Sequence, residues 1–255
     1  MVRATWMAVL MLIAVAAAGG TGAASTNNIN WVDEAYYDNE LYVFATSDDG
    51  EAVEHDEDYE QWNEAGSRSG GATTSFGDHA SAWGAIDLGY ANAGAFAGSI
   101  SDRHTGSAFG LTGLSAYQAF EIDANAEGEG AWFDYHLDGW IDGLDDLETG
   151  AEYELETGVE FELAVRDHNG NVLWSDQGAW WEIGEFEKHD TVWLEGAFTD
   201  ELYWLELKLA CSAWSSNLVP SLTQPAENPF ADTGVSFRYG DFTDPVPEPS
   251  TVALF

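Results

Sequence analysis

Apolar residues recur at every second position over much of this chain, and beyond the first 24 residues no segment carries a sustained apolar stripe at 3.6-residue spacing. In EYELETGVEFELAVRD the apolar set is Tyr153, Leu155, Val159, Phe161, Leu163 and Val165, with acids between most of them. LYWLELKLAC repeats the pattern with Tyr203, Leu205, Leu207, Leu209 and Cys211, and GVSFRYG with Val235, Phe237 and Tyr239. Successive side chains of a strand point to opposite faces, so these segments predict strands with one face buried and one in water. Register is tightly specified in such strands, because a one-residue slip turns the whole apolar set to solvent. Further strands are expected at Leu41–Thr46, His79–Leu88, Ala95–Ser101, Tyr117–Asp123, Ala131–Leu137, Ala179–Ile183 and Thr191–Phe198. About ten short antiparallel strands with Gly/Asp turns predict an all-β, jelly-roll-like antiparallel β-sandwich.

Turn chemistry supports this. DHNGN (Asp167–Asn171) places Asn169-Gly170 between two strand candidates, which predicts a hairpin through a type I′ turn. All six prolines lie at or beyond Pro220, and no Pro- or Ser-rich linker divides the chain before them, so residues 25–243 are expected to form a single domain. Two stretches are expected to be loops: acid-dense Asp48–Glu60, and Asn217–Asp232 with three prolines and Leu218, Leu222 and Phe230 to pack it.

The first 24 residues have the layout of a secretory leader: Arg3, the apolar run Ala8–Ala18, then small residues to a cleavage point after Ala24. Eleven apolar residues are too few for a membrane span, which needs about 20. The protein is therefore expected to be exported. With 46 acids against 7 bases and a net charge of −39, its surface repels nucleic acid and anionic lipid, and neither is an expected partner. Salt or divalent cations relieve the self-repulsion of such a surface. Cys211 is the sole cysteine and continues an alternating apolar row, so it is expected to pack rather than react.

No segment carries HExxH, a paired-cysteine zinc pattern, GxSxG, a P-loop or a strand-linked GxGxxG. The histidines at 55, 79, 104, 136, 168 and 189 are scattered, and no catalytic residue is expected. LDGWIDGLDDLETG is a glycine-broken stretch in which Asp138, Asp142 and Asp145, with Asp146 and Glu148, form a candidate Ca²⁺ loop. Hard cations take six to eight oxygens from such loops, although the spacing is not that of an EF-hand. In AWWEIG the neighbours Trp180 and Trp181 are expected on opposite faces of one strand, as are Trp132-Phe133 and Tyr203-Trp204. An outward ring on a sandwich is a platform for a sugar.

The chain ends in DPVPEPSTVALF. Proline fixes φ and keeps the preceding residue out of the helix region, so VPEP is an extended, accessible segment, and Ser250-Thr251 can cap a following helix. These residues resemble the PEP-CTERM sorting signal of Gram-negative bacteria that make exopolysaccharide. The resemblance implies that Pro247, Glu248 and Pro249 form a recognition box read by an exosortase, a membrane-embedded cysteine protease-like enzyme. It also implies a membrane span and an Arg cluster, of which nothing follows Phe255. HASAWGAIDLGYANAGAFAGSISDR and SAYQAFEID are similar to the bodies of glycine- and aromatic-rich PEP-CTERM surface proteins. The resemblance implies an exported, non-catalytic protein of the cell surface or extracellular matrix, with a structural or adhesive role in exopolysaccharide or biofilm. The outward aromatics leave a second function open, a carbohydrate-binding module with or without Ca²⁺, and a third, a polysaccharide hydrolase or lyase. No ligand-binding residue is assigned at this level.

Overall fold

The computed structural model describes residues 29–99, 105–122, 131–144, 157–194, 202–217 and 230–239. They form β1 (Ile29–Tyr37), β2 (Asn39–Asp48), β3 (Val53–Trp62), β4 (Gly66–Thr73), β5 (His79–Asp87), β6 (Tyr90–Gly98), β7 (Thr105–Ile122), β8 (Ala131–Leu144), β9 (Gly158–Arg166), β10 (Val172–Trp180), β11 (Gly184–Leu194), β12 (Tyr203–Asn217) and β13 (Phe230–Tyr239). There is no helix among the described residues. The expected leader, the tail box Pro247, Glu248 and Pro249, and Tyr153, Leu155, Asp145, Asp146, Glu148, Leu218 and Leu222 lie outside them.

The strands build two antiparallel sheets. One runs β10-β9-β12-β7-β2-β3, with β1 added on β7 beyond the end of β2; the other runs β11-β8-β13-β6-β5-β4. They lie face to face in matching order, β3 beside β4 and β10 beside β11. This is the β-sandwich that the alternation predicts. Val159, Phe161, Leu163 and Val165 of β9, the five apolar residues of β12 from Tyr203 to Cys211, and Val235, Phe237 and Tyr239 of β13 are all buried in one core. Burial pushes the Cys211 thiol far up, which suits packing and not nucleophilic chemistry.

The core is graded from end to end. Where β7 faces β5 and β6 it is nearly all alanine and glycine, including Ala80, Ala82, Ala91, Ala93, Ala95, Ala97 and Ala108. A Cβ added to Gly110 would lie 2.7 Å from the Ser81 carbonyl oxygen and 3.1 Å from that of Phe96. The Thr112 hydroxyl bridges the sheets, 2.9 Å from the Gly94 carbonyl and 3.1 Å from that of Trp83. At the other end the filling is aromatic: Tyr135 lies 6.3 Å from Phe161 and 6.0 Å from Phe237, and Trp180 stacks on Phe186 at 4.6 Å.

Several glycines sit directly opposite an aromatic residue on the neighbouring strand: Gly94 with Trp83, Gly234 with Trp140, Gly139 with Phe186 and Gly178 with Phe161. In each pair the ring lies where a Cβ would be, at 2.3–2.7 Å. The ring restores the packing and shielding that a glycine in a strand lacks.

Five expectations are corrected. Asp48–Glu60 is not a loop: from Val53 onward it is β3, paired with β2 along its length. Its acids grip the edge of the opposite sheet, Thr73 N–H donating to Asp56 (2.8 Å), Ser75 N–H to Glu54 (2.7 Å) and Arg68 pairing with Glu60 (2.8 Å). The Asn169-Gly170 hairpin exists but is not a two-residue type I′ turn. Gly170 N–H bonds back to Asp167 C=O, Gly170 takes φ +82°, and the register slips between Val172 and Trp174; this is a three-residue loop with a glycine bulge. The Asp167 carboxylate accepts the Asn169 and Asn171 N–H groups at 2.9 and 2.8 Å and so selects that turn. Trp181–Ile183 lie in the connection between β10 and β11, with Glu182 and Ile183 in a bend, rather than at the end of a strand. Asp138 and Asp142 belong to β8 rather than to a glycine-broken loop, and Asn217 and Phe230–Asp232 to β12 and β13 rather than to the connection between them. β2, β6, β7 and β8 are longer than expected, β7 running for 18 residues, while β5 keeps the expected start at His79 and ends at Asp87.

The close approach at Gly110 sets a prediction. Gly110→Ala should destabilise the protein by about 1–3 kcal/mol, because backbone of the facing sheet must move. Gly113→Ala, whose nearest Cβ neighbours are Glu40 side-chain atoms from 3.3 Å, should stay within about 0.5 kcal/mol of wild type. Urea midpoints at constant m-value measure both; equal midpoints would mean that the close approach of the sheets does not depend on Gly110.

Candidate functional site

The outward face of the seven-stranded sheet carries a trough that crosses it from edge to edge. Residues opposite one another on paired strands share a face, and the register places Gln61, Glu40, Gly113, Ala210, Glu160 and Ala179 in a single cross-strand row over β3, β2, β7, β12, β9 and β10. Three of the six are glycine or alanine, so the row is a depression between taller neighbours. Its volume is ≈ 660 Å³. At strand spacings of about 4.8 Å, six strands make a trough about 24 Å long.

On one side the trough is flanked by a cross-strand row that begins with two aromatic rings. Tyr42 and Tyr59 are directly opposite on β2 and β3, 6.4 Å apart by ring centroid, and Tyr59 OH reaches Glu40 at 3.5 Å. Leu111 follows on β7, paired with Tyr42. Behind this row Phe44, Phe109 and Trp214 pack on one another at 5.6–5.7 Å. At the far end Trp181 lies across Gly158, its ring 2.1 Å from where a Cβ would sit. Tyr59 and Trp181 are 56% and 55% exposed, a large open area for two aromatic rings.

The other side is ionic. Lys208 Nζ bonds Glu162 at 2.9 Å and lies 3.3 Å from Glu206. Glu206 is buried on this face, receiving Tyr117 OH at 2.6 Å and Arg166 Nε and Nη2 at 2.8 and 2.6 Å. Burial pushes its carboxyl up, but the bonds from Tyr117, Arg166 and Lys208 together with the Arg166 charge outweigh that and hold it below the usual carboxylate range. The same bonds raise Tyr117 and Arg166.

The residues singled out by sequence fall variously around this site. Of the two tryptophans in AWWEIG, Trp180 packs against the core and Trp181, past the strand end, is exposed over Gly158 in the row beside the trough, so one ring is inward and the other outward as expected. Tyr203 is buried and Trp204 outward beside Tyr36 at 5.9 Å; Phe133 is core. Asp138 and Asp142 are exposed on β8 of the other sheet. Four residues apart on a strand, their Cα atoms are about 13 Å from each other, so the two do not converge on one ion. Among the described residues no group of three His, Cys, Asp or Glu side chains is placed to hold a metal. His136 and His189 meet across β8 and β11 at 5.9 Å, His55 pairs with Glu57, and His79 stacks on Phe96. The trough row itself went unforeseen. Its signal was the small outward residues Gly113, Ala179 and Ala210 among bulkier ones, meaningful only once the register is known. Comparison with protein-family models and with curated proteins gives no match.

Glu206 sets the pH dependence of the ionic side. A depressed carboxylate contributes stability that is present above its unfolded value of 4.5 and lost as the pH falls through the lower folded value. Glu206→Gln should therefore cost about 1–3 kcal/mol at neutral pH. The gap to wild type should close as the pH falls below 4.5 and through the lower folded value. Urea unfolding of both proteins across that range reads it, and a gap independent of pH would show that the charge of Glu206 contributes nothing.

Proposed function

We propose that this is an exported, non-catalytic protein of the cell surface or extracellular matrix of a Gram-negative bacterium, and that it holds matrix polysaccharide in the trough on its seven-stranded sheet. The observation that carries this reading is the trough itself, a six-strand channel flanked along one side by the next cross-strand row, which has the exposed rings of Tyr59 and Trp181 at its two ends. Aromatic faces with hydrogen-bonding groups between them suit the alternation of apolar ring faces and hydroxyls along a sugar chain. A long open channel on a rigid sheet takes a polymer rather than a small molecule. The role is structural or adhesive, tying the cell or its matrix proteins to exopolysaccharide.

Two experiments test the two halves. For binding, affinity electrophoresis in gels cast with matrix polysaccharides should retard the protein. Ala210→Trp or Ala179→Trp, which fill the floor, should remove the retardation with the thermal midpoint kept. Free migration of the wild type in every gel would end the binding reading. For sorting, we propose that an exosortase-type enzyme reads Pro247, Glu248 and Pro249. In a chain carrying a membrane span after that box, replacing Pro247 and Pro249 by Ala should leave the protein in the membrane fraction of an exosortase-bearing host. Unchanged processing of that variant would remove the sorting reading and leave the binding one standing.

A further inference from the structure

The charges along the trough say which polysaccharide fits. Asp38, Glu40, Glu160 and Glu162 all line it, against Lys208 as the lining cation. Lys208 is already engaged by Glu162 and Glu206. The Glu160 carboxylate has no hydrogen-bond or ion-pair partner among the described residues. Glu40 and Glu160 stand in the same row with Gly113 and Ala210 between them, three strand spacings or about 14 Å apart. Carboxylates alone would be a solvated face. Glu40 and Glu160 stand in the floor row itself, on either side of Gly113 and Ala210, in a channel beside which the flanking row carries open rings.

Each class of glycan meets this differently. An anionic polysaccharide meets four carboxylates here and a chain of net charge −39, and is repelled. A neutral one finds acceptors for its hydroxyls but leaves the carboxylates uncompensated as water is displaced from them. A glycan carrying ammonium groups turns the same carboxylates into charge-assisted partners, the strongest class of hydrogen bond available to it. We infer that the ligand is an amino-sugar polysaccharide from which part of the N-acetyl groups have been removed. Its ammonium groups lie on Glu40, Glu160 and Asp38, and its ring faces lie on Tyr42, Tyr59 and Trp181. This rests on the polysaccharide reading above and narrows it to one chemical class.

The test compares soluble β-1,4-linked glucosamine oligomers, largely de-N-acetylated, with the fully N-acetylated oligomers of equal length and with a neutral glucan. Titration calorimetry at mildly acidic pH, where the amines are charged, should find the de-N-acetylated form bound at least about tenfold tighter. Glu160→Gln should weaken that form by about tenfold and leave the acetylated one little changed. Glu187→Gln, on the opposite sheet, should alter neither. Because a polycation will collect on any acidic protein, the deciding variants are the uncharged ones: Ala210→Trp and Ala179→Trp should abolish binding without changing net charge. If the cationic oligomer binds and these variants bind it equally, the attraction is unspecific and the trough is not its site. If all three glycans bind equally and the Trp variants abolish it, the polysaccharide reading stands and the amino-sugar inference falls. If none binds, both fall together.

Discussion

How closely the two sheets can approach is set by the smallest residues between them, and most of the remaining structure follows from that limit. Where β7 passes over β5 and β6, glycine and alanine bring backbone against backbone, and Gly110 leaves no room for a methyl group. Toward β8, β9 and β13 larger side chains, Phe133, Tyr135, Phe161 and Phe237, fill the space between the sheets. Both open ends need closing. At one end the acids of β3 take the N–H groups beside β4. At the other end Asp176 of β10 is bridged to Lys188 of β11 at 2.6 Å and accepts Tyr135 OH. Carboxylates thus do the edge-covering that an unpaired strand requires, in a chain with no proline before residue 220.

Alternation was readable because it is imposed by burial of one face. β9, β12 and β13 each lie in the interior of a sheet with one face on the core, so their apolar residues had no other place to be. β3 was not readable for the same reason inverted. It is an edge strand that buries almost nothing, and what holds it is β2 on one side and carboxylate-to-backbone bonds on the other. Neither leaves a period in the sequence. Gly139 and Gly143 suggested a broken loop around Asp138 and Asp142, but Phe186 covers Gly139 from the next strand and the ladder continues. A glycine whose missing side chain is supplied by a cross-strand ring does not act as a breaker.

The trough was the least legible part, and its geometry explains why. It runs at right angles to the strands, so its neighbours in space come from positions 40, 61, 113, 160, 179 and 210, joined only through five separate registers. Sequence periodicity reports what happens along a strand; it carries no information about which outward residue meets which across the sheet. Trp181 was foreseeable as an outward ring, but its companions Tyr42 and Tyr59 depend on the pairing of β2 with a strand that did not look like one.

Charge has two separate jobs in this molecule, and they bear on one another. Glu206 is buried and compensated threefold, by Tyr117, Arg166 and Lys208. It therefore fixes Lys208 in place as the floor's cationic neighbour among the described residues and leaves that ammonium little freedom to neutralise anything else. Glu40, Asp38 and Glu160 stay at the surface, where water solvates them at small cost. A ligand that covers the channel must replace that water. The cost of doing so is what discriminates among sugars, since the carboxylates would be left bare by a neutral chain and satisfied by one that brings its own positive charge. A surface of net charge −39 then acts as more than a solubility device: its long-range field gathers cationic polymer toward the protein, and the shape of one face decides where it settles.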